Sequence, residues 1–280
     1  MLWTGEEYRQ KLGTGSHVMK KWKIAFAIVA TLMAASAARA EPDSLLQQIK
    51  DRGSIIICEA AYPPYNVKNP KTSEWEGLDV DIEGELAKIL GVKIQRVDTS
   101  FSALVPSVNT HKCDLSTAAT YITPGRAEQV LFTRPFAAET KTVFVPLSST
   151  AKTYADIDKE GITIVTRAGT AEETYAKRFF KHATVKLLTS DATQPHLLEV
   201  AAGRADAAFA GYVGSLIFMK QNANLKLRPI GDKLLDATSF AFMLPRGEYH
   251  FQQYLDIFFN DLERSGKLKE ITDKWMSGLK

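Results

Sequence analysis

Short apolar, β-branched runs alternate with stretches of helical periodicity along this chain, and the alternation runs through twice. A parallel strand pair needs a crossover, usually a helix, so this rhythm predicts an α/β protein with mostly parallel sheets. The first pass opens on Ile55-Ile56-Ile57. A helix is predicted over Asp79 to Leu90, where Ile82, Leu86, Ile89 and Leu90 share one face and Gly91 marks the stop. Val92 to Val97 reads as a strand. Ser102 is the expected cap of a helix carrying Leu104, Val105 and Val108, with Pro106 in its first turn, and Leu115 to Ala119 reads as a short buried strand. The second pass has strands over Lys141–Val145, Ile162–Val165, Val185–Leu188, Ala207–Ala210 and Phe240–Leu244. Its helices are Ala171–Phe180, Leu197–Ala202 and Tyr212–Gln221. Two helices finish the chain, Tyr249–Ser265 and Leu268–Trp275, divided at Gly266.

Two such runs without a proline-rich linker predict two lobes that share a hinge. Residues 44–137 plus 240–280 make the first lobe and 138–239 the second. Ligands of open parallel sheets lie beyond the carboxyl ends of the strands, so the cleft between the lobes is the expected site.

The N-terminal region reads as an address. From Met19, a basic stretch (Lys20, Lys21, Lys23) precedes an apolar run, Ile24 to Ala38, and then Ala38-Arg39-Ala40, a small-x-small cleavage site. The run is short for a bilayer, which needs ~20 residues. Residues 19–40 are therefore expected to be a cleaved signal peptide for export to the periplasm, with 1–18 an upstream extension outside the fold. The whole chain has 35 Lys and Arg against 32 Asp and Glu, but the first forty residues hold six of the basic and two of the acidic groups. The remainder carries 29 basic and 30 acidic residues, so no basic patch argues for nucleic acid or a membrane surface. Cys58 closes one strand and Cys113 opens another, and no bond is expected between them. No Cys/His spacing suggests a metal, and no cofactor is expected.

Six blocks carry a family resemblance. They are Ala61-Tyr62-Pro63-Pro64-Tyr65, Gly77-Leu78-Asp79-Val80-Asp81, Phe101-Ser102-Ala103-Leu104-Val105-Pro106, Ile122-Thr123-Pro124-Gly125-Arg126, Ala168-Gly169-Thr170-Ala171-Glu172 and Gly203-Arg204-Ala205-Asp206-Ala207. In this order, over about Ser44 to Trp275, they resemble the polar amino acid-binding proteins of ABC importers, the small two-lobed periplasmic type. The resemblance implies the periplasmic binding protein fold with a two-strand hinge, a monomer, and a membrane permease as partner.

Arg126 falls in the first turn of a helix that Thr123 can cap and Pro124 can begin, and its guanidinium offers a planar fork to a carboxylate. The Gly169-Thr170-Ala171 turn opens a helix whose N–H groups attract anions. A carboxylate gripped by Arg126 from one lobe and the Thr170 and Ala171 turn from the other would draw the lobes together. The resemblance further implies that Tyr62 and Phe101 line the pocket and that Glu59 faces the ligand. It also exposes departures. Where relatives place an aspartate for the ligand's α-ammonium, this chain has Gly211; Tyr121 replaces a small hydroxyl residue, and Ala119 another polar contact. A desolvated ammonium without an anion would be costly, so either another acid, Glu139 or Glu59, compensates, or the ligand lacks that group.

The expected function is an extracytoplasmic solute-binding protein that delivers a small carboxylate-bearing solute (amino acid, derivative or organic acid) to an inner-membrane permease. Two alternatives are a sensory binding protein and an enzyme resembling cyclohexadienyl dehydratase. The resemblance to such enzymes implies a lysine near Lys141 and an acid in the segment Gly211 to Ser215, which here holds none for proton donation, while Glu172 and Glu173 read as helix N-terminal charges.

Overall fold

A computed structural model describes residues 44–277 except Pro70, Asp191 and 232–234, with only the backbone of Asp236. The expected signal peptide and upstream extension lie outside these residues.

The strands are β1 (Ser54–Glu59), β2 (Val67–Lys68), β3 (Trp75–Glu76), β4 (Lys93–Asp98), β5 (Leu115–Ser116), β6 (Leu131–Phe132), β7 (Ala137–Pro146), β8 (Thr163–Arg167), β9 (Thr184–Leu188), β10 (Ala207–Gly211), β11 (Leu227–Pro229), β12 (Leu235–Phe240) and β13 (Met243–Leu244). The first helices are α1 (Leu45–Arg52), α2 (Leu78–Leu90), α3 (Phe101–Asn109) and α4 (Pro124–Ala127). They are followed by α5 (Tyr154–Ile157), α6 (Ala171–Phe179), α7 (Pro195–Ala201), α8 (Tyr212–Gln221), α9 (Tyr249–Arg264) and α10 (Lys267–Met276).

Two sheets result, one per lobe. The first lobe has the order β4-β1-β5-β13-β6 and the second β11-β7-β10-β8-β9, with β12 also on β7. In the first, β13 runs against its neighbours and the other four strands point one way. In the second, β7 alone is reversed. The reversed strand in each sheet is the one that enters it from the other lobe. β7 and β12 are the crossovers, paired antiparallel from Ala137↔Phe240 and Glu139↔Thr238 to Lys141↔Leu235. The fold is therefore the expected two-lobed α/β architecture with mostly parallel sheets and a two-strand connection. Phe240, Phe242 and Phe259 anchor the core of the first lobe, with Phe136 stacked on Phe259 at 5.0 Å. Val143, Ile164 and Phe209 anchor that of the second. Each such side chain contributes about 1.5–3 kcal/mol by leaving water.

Local expectations fail where tertiary contacts intervene. Ser100, not Ser102, takes the N-cap position of α3, so Pro106 falls inside that helix and deprives the Ser102 carbonyl of a helical donor. The predicted strand over Leu115–Ala119 stops at Ser116, because Ala119 turns to φ 43° to give its amide to Asp79. The run from Phe240 to Leu244 is split between β12 and β13 as the chain changes sheets. Ile89 lies on the rim of α2 and is exposed, while Asp79 and Glu83 of the same helix are buried.

Cys58 and Cys113 form a disulfide, contrary to expectation. The two strands they border are parallel neighbours: Cys58 faces Ser116 across the ladder, and Asp114 donates its amide to Ile56. The Cα atoms come to 5.7 Å, within bonding range. Among the described residues, no helix is long and apolar enough to cross a membrane. The cross-link spans 55 residues, for which the loop-entropy relation gives about 4 kcal/mol. Cys58→Ala with Cys113→Ala is expected to lower the urea midpoint accordingly; an unchanged midpoint would show that the bond adds nothing.

Candidate functional site

The loop after β5 is shaped from below by a buried carboxyl. Asp79, wholly buried in α2, accepts the Ala119 amide at 2.9 Å. This turns Thr120 and Tyr121 toward the second lobe. Tyr121 bridges to Phe240 through its backbone, its ring centroid 4.7 Å from that of Phe240. The next turn is α4, begun by Pro124 and capped by Thr123, whose hydroxyl accepts the Arg126 amide at 3.4 Å, as the sequence predicts. From there the Arg126 guanidinium donates to the Tyr121 carbonyl at 2.8 Å and, across the cleft, to the Gly169 carbonyl at 2.8 Å.

Gly169 can approach so closely because it has no side chain. At φ 74°, a Cβ there would lie 2.4 Å from the Ser102 Cα. The following helix start is already partly engaged. The Gly169 amide donates to Glu173 at 2.9 Å, and the Thr170 hydroxyl donates to the Arg167 carbonyl at 2.8 Å. Glu173 thus serves the helix N-terminus as expected, whereas Glu172 is buried and lines the cavity.

The cavity between the lobes has a volume of about 20 Å³, counted as room for the centre of a water-sized sphere. Seven of the nine predicted site residues line it: Tyr62, Phe101, Ala119, Tyr121, Arg126, Thr170 and Gly211. Ala171 is buried at the start of α6 and is not among the lining residues. Glu59 is also absent from the lining. It is wholly buried under the first lobe, where it pairs with Arg96 and accepts from Asn66 at 2.6 Å. Arg96 also pairs with Glu83, and Glu83 accepts from Thr117 at 2.5 Å. The correction has a physical cause: a strand-end acid with a guanidinium below it is drawn inward to satisfy that charge. The sequence reading missed Thr166, Arg167 and His196, all on the cavity wall. Arg167 at the end of β8, next to the Ala168-Gly169-Thr170 block, was the available signal.

Gly211 marks a site whose side-chain volume is filled from other elements. Its missing Cβ would fall 2.0 Å from the Tyr62 hydroxyl and 2.8 Å from Glu139 Oε2. Glu139, on the crossover strand β7, occupies that volume. Its carboxylate accepts from Tyr62 at 2.7 Å, Tyr121 at 3.1 Å and the Gly214 amide at 2.9 Å. Burial raises its pKa to about 7, against these stabilising donors. Two residues on, Lys141 donates to Thr238 at 2.7 Å and lies 4.1 Å from the Tyr121 ring centroid. Burial lowers its pKa, as it does that of Arg126, with Glu172 opposing both shifts. Burial also raises the Tyr62 and Tyr121 phenols well above their usual range, so both remain neutral donors.

A model of the bacterial extracellular solute-binding proteins, family 3, matches residues 55–278. This chain belongs to that family. Among relatives, the L-arginine-binding protein of Pseudomonas aeruginosa is 28% identical over 232 residues, covering 81% of this chain and 89% of that protein. Cyclohexadienyl dehydratase of the same organism is 25% identical over 254 residues, covering 89% and 92%. A solved mutant of ArgBP from T. maritima superposes with a TM-score of 0.76 at 25% identity, covering 83% and 99%.

Gly211→Ala is expected to force Tyr62 and Glu139 apart and to cost roughly 1–3 kcal/mol, read from the urea midpoint; full stability would contradict the crowding. Glu139 generates a pH dependence. An unfolded chain releases this proton near 4.5 and the folded protein near 7. Its contribution is therefore full below pH 4.5 and lost as pH rises toward 7. Glu139→Gln is expected to remove a stability loss on the order of 1–3 kcal/mol between pH 5 and 8. Parallel wild-type and variant curves would refute the raised carboxyl.

Proposed function

We propose that this protein is an extracytoplasmic solute-binding protein of an ABC importer. It holds a small carboxylate-bearing solute between its lobes and delivers it to a membrane permease. Export through the signal peptide at 19–40 leaves it in the periplasm, and residues 138–239 close on the rest as one body about β7 and β12. The observation that carries this reading is the reach of Arg126 from the first lobe to Gly169 at the entry of α6 in the second. A guanidinium has five N–H donors. Two are given to backbone carbonyls, and the remaining fork suits a carboxylate held against the start of α6. A ligand that contacts both lobes favours the closed form by its differential affinity for it. Tyr62 and Phe101, in edge contact at 6.2 Å, offer aromatic faces to the ligand body.

A second reading rests on Glu172, a buried carboxyl on the cavity wall that the sequence analysis did not expect there. With Arg126 holding a carboxylate and Glu172 within reach of a leaving group, the cleft has the parts for general acid chemistry, and a dehydratase stands among the relatives. Binding is preferred because these same parts also serve a zwitterionic solute.

Calorimetry with a panel of amino and organic acids is expected to show tight binding without turnover. Arg126→Ala should abolish it while circular dichroism stays unchanged. Retained affinity in this variant would remove the carboxylate role. Steady formation of an aromatic product from prephenate or arogenate would favour the enzyme instead.

A further inference from the structure

The cavity is faced by two guanidinium groups, Arg126 and Arg167. Arg167 is the last residue of β8 and only 7% exposed. Its guanidinium lies 4.8 Å from the Phe101 ring centroid, and one N–H reaches the Ala61 carbonyl at 3.2 Å. Arg167 and Phe101 also wall a second crevice toward Ser100 and Thr189, so together they close one end of the main cavity.

The neighbours of Arg167 on that wall are donors. Thr166 and His196 line the cavity and are buried. The Thr166 hydroxyl and both ring nitrogens of His196 meet no hydrogen-bond partner among the described residues. An unsatisfied buried polar group costs ~1–3 kcal/mol, which an acceptor on a ligand would offset. Burial and the Arg167 charge hold His196 neutral, so one ring nitrogen carries a proton to donate. A planar fork, a hydroxyl and an imidazole N–H together make a donor set for a carboxylate.

The charge balance points the same way. Arg126 and Arg167 face the cavity against one acid, Glu172. These walls sum to +1; a ligand with one carboxylate and one ammonium would leave that charge uncancelled, an acidic amino acid, net −1, would cancel it, and a plain diacid, net −2, would leave −1.

Resting on the assignment of a carboxylate to Arg126, we propose that the ligand is a dicarboxylate. One carboxylate lies at Arg126, and the second is held by Arg167, Thr166 and His196. Acidic amino acids and simple dicarboxylic acids share this chemistry and differ in the ammonium, which Glu172 would face.

The test is calorimetry on the full chain with glutarate and L-glutamate against butyrate and L-glutamine, using wild type, Arg167→Gln, Thr166→Val and Arg126→Ala. The two dicarboxylates should bind at least about 30-fold more tightly than their monocarboxylate counterparts, and Arg167→Gln should erase that margin. Should Arg167→Gln fail to fold, Thr166→Val still tests the subsite, with a loss of about 10-fold confined to the dicarboxylates. Preference for L-glutamate over glutarate would assign the ammonium to Glu172, and the reverse would assign a plain diacid. Equal affinity for mono- and dicarboxylates, unmoved by Arg167→Gln and Thr166→Val, would overturn the proposal and leave the Arg126 assignment standing. Affinity that survives Arg126→Ala would overturn that assignment instead.

Discussion

The buried carboxylate of Glu139 is the point on which the two lobes are joined. It lies on a crossover strand and receives two phenol hydroxyls, Tyr62 and Tyr121, from one lobe and the Gly214 amide from the other. A carboxyl taken this far from water must be either protonated or fully hydrogen-bonded. Three donors and a pKa raised to about 7 place it between those conditions. Satisfying it fixes the rotamers of both tyrosines, hence the cavity floor, and excludes any side chain at position 211.

A second buried network supports the cleft from beneath. Glu59 and Glu83 share Arg96, while Asn66 and Thr117 satisfy the remaining carboxylate oxygens. Breaking one partner of such a cluster leaves an uncompensated charge, so it ties β1, α2 and β4 into one unit. Asp79, one turn earlier on α2, adds the bond that bends the chain at Ala119. Rigid support of this kind lets a loop hold Tyr121 and Arg126 at defined positions.

The cavity combines two cationic forks, one carboxyl and neutral phenols around aromatic faces. Contacts made across the cleft, Arg126 to Gly169 and Arg167 to the Ala61 carbonyl, join the lobes directly.

By itself the sequence determined the two-lobed α/β class, the position of most helices and strands, the capped turn that presents Arg126, and most of the cavity wall. Those are local properties: periodicity, caps and turn residues act over a few positions and leave a mark in the order of the chain. Only the tertiary structure decided which acids face the ligand space. Glu59 was drawn inward by Arg96, Glu172 turned into the cavity, and Glu139 came to fill the space beside Gly211 from a different strand. The same holds for the Cys58–Cys113 bond and for the grouping of Thr166, Arg167 and His196. Each depends on strand neighbours and lobe contacts between residues far apart in the chain, 75 positions in the case of Glu139 and Gly214. Where a buried charge finds its partner is a property of the assembled sheets, and no local pattern encodes it.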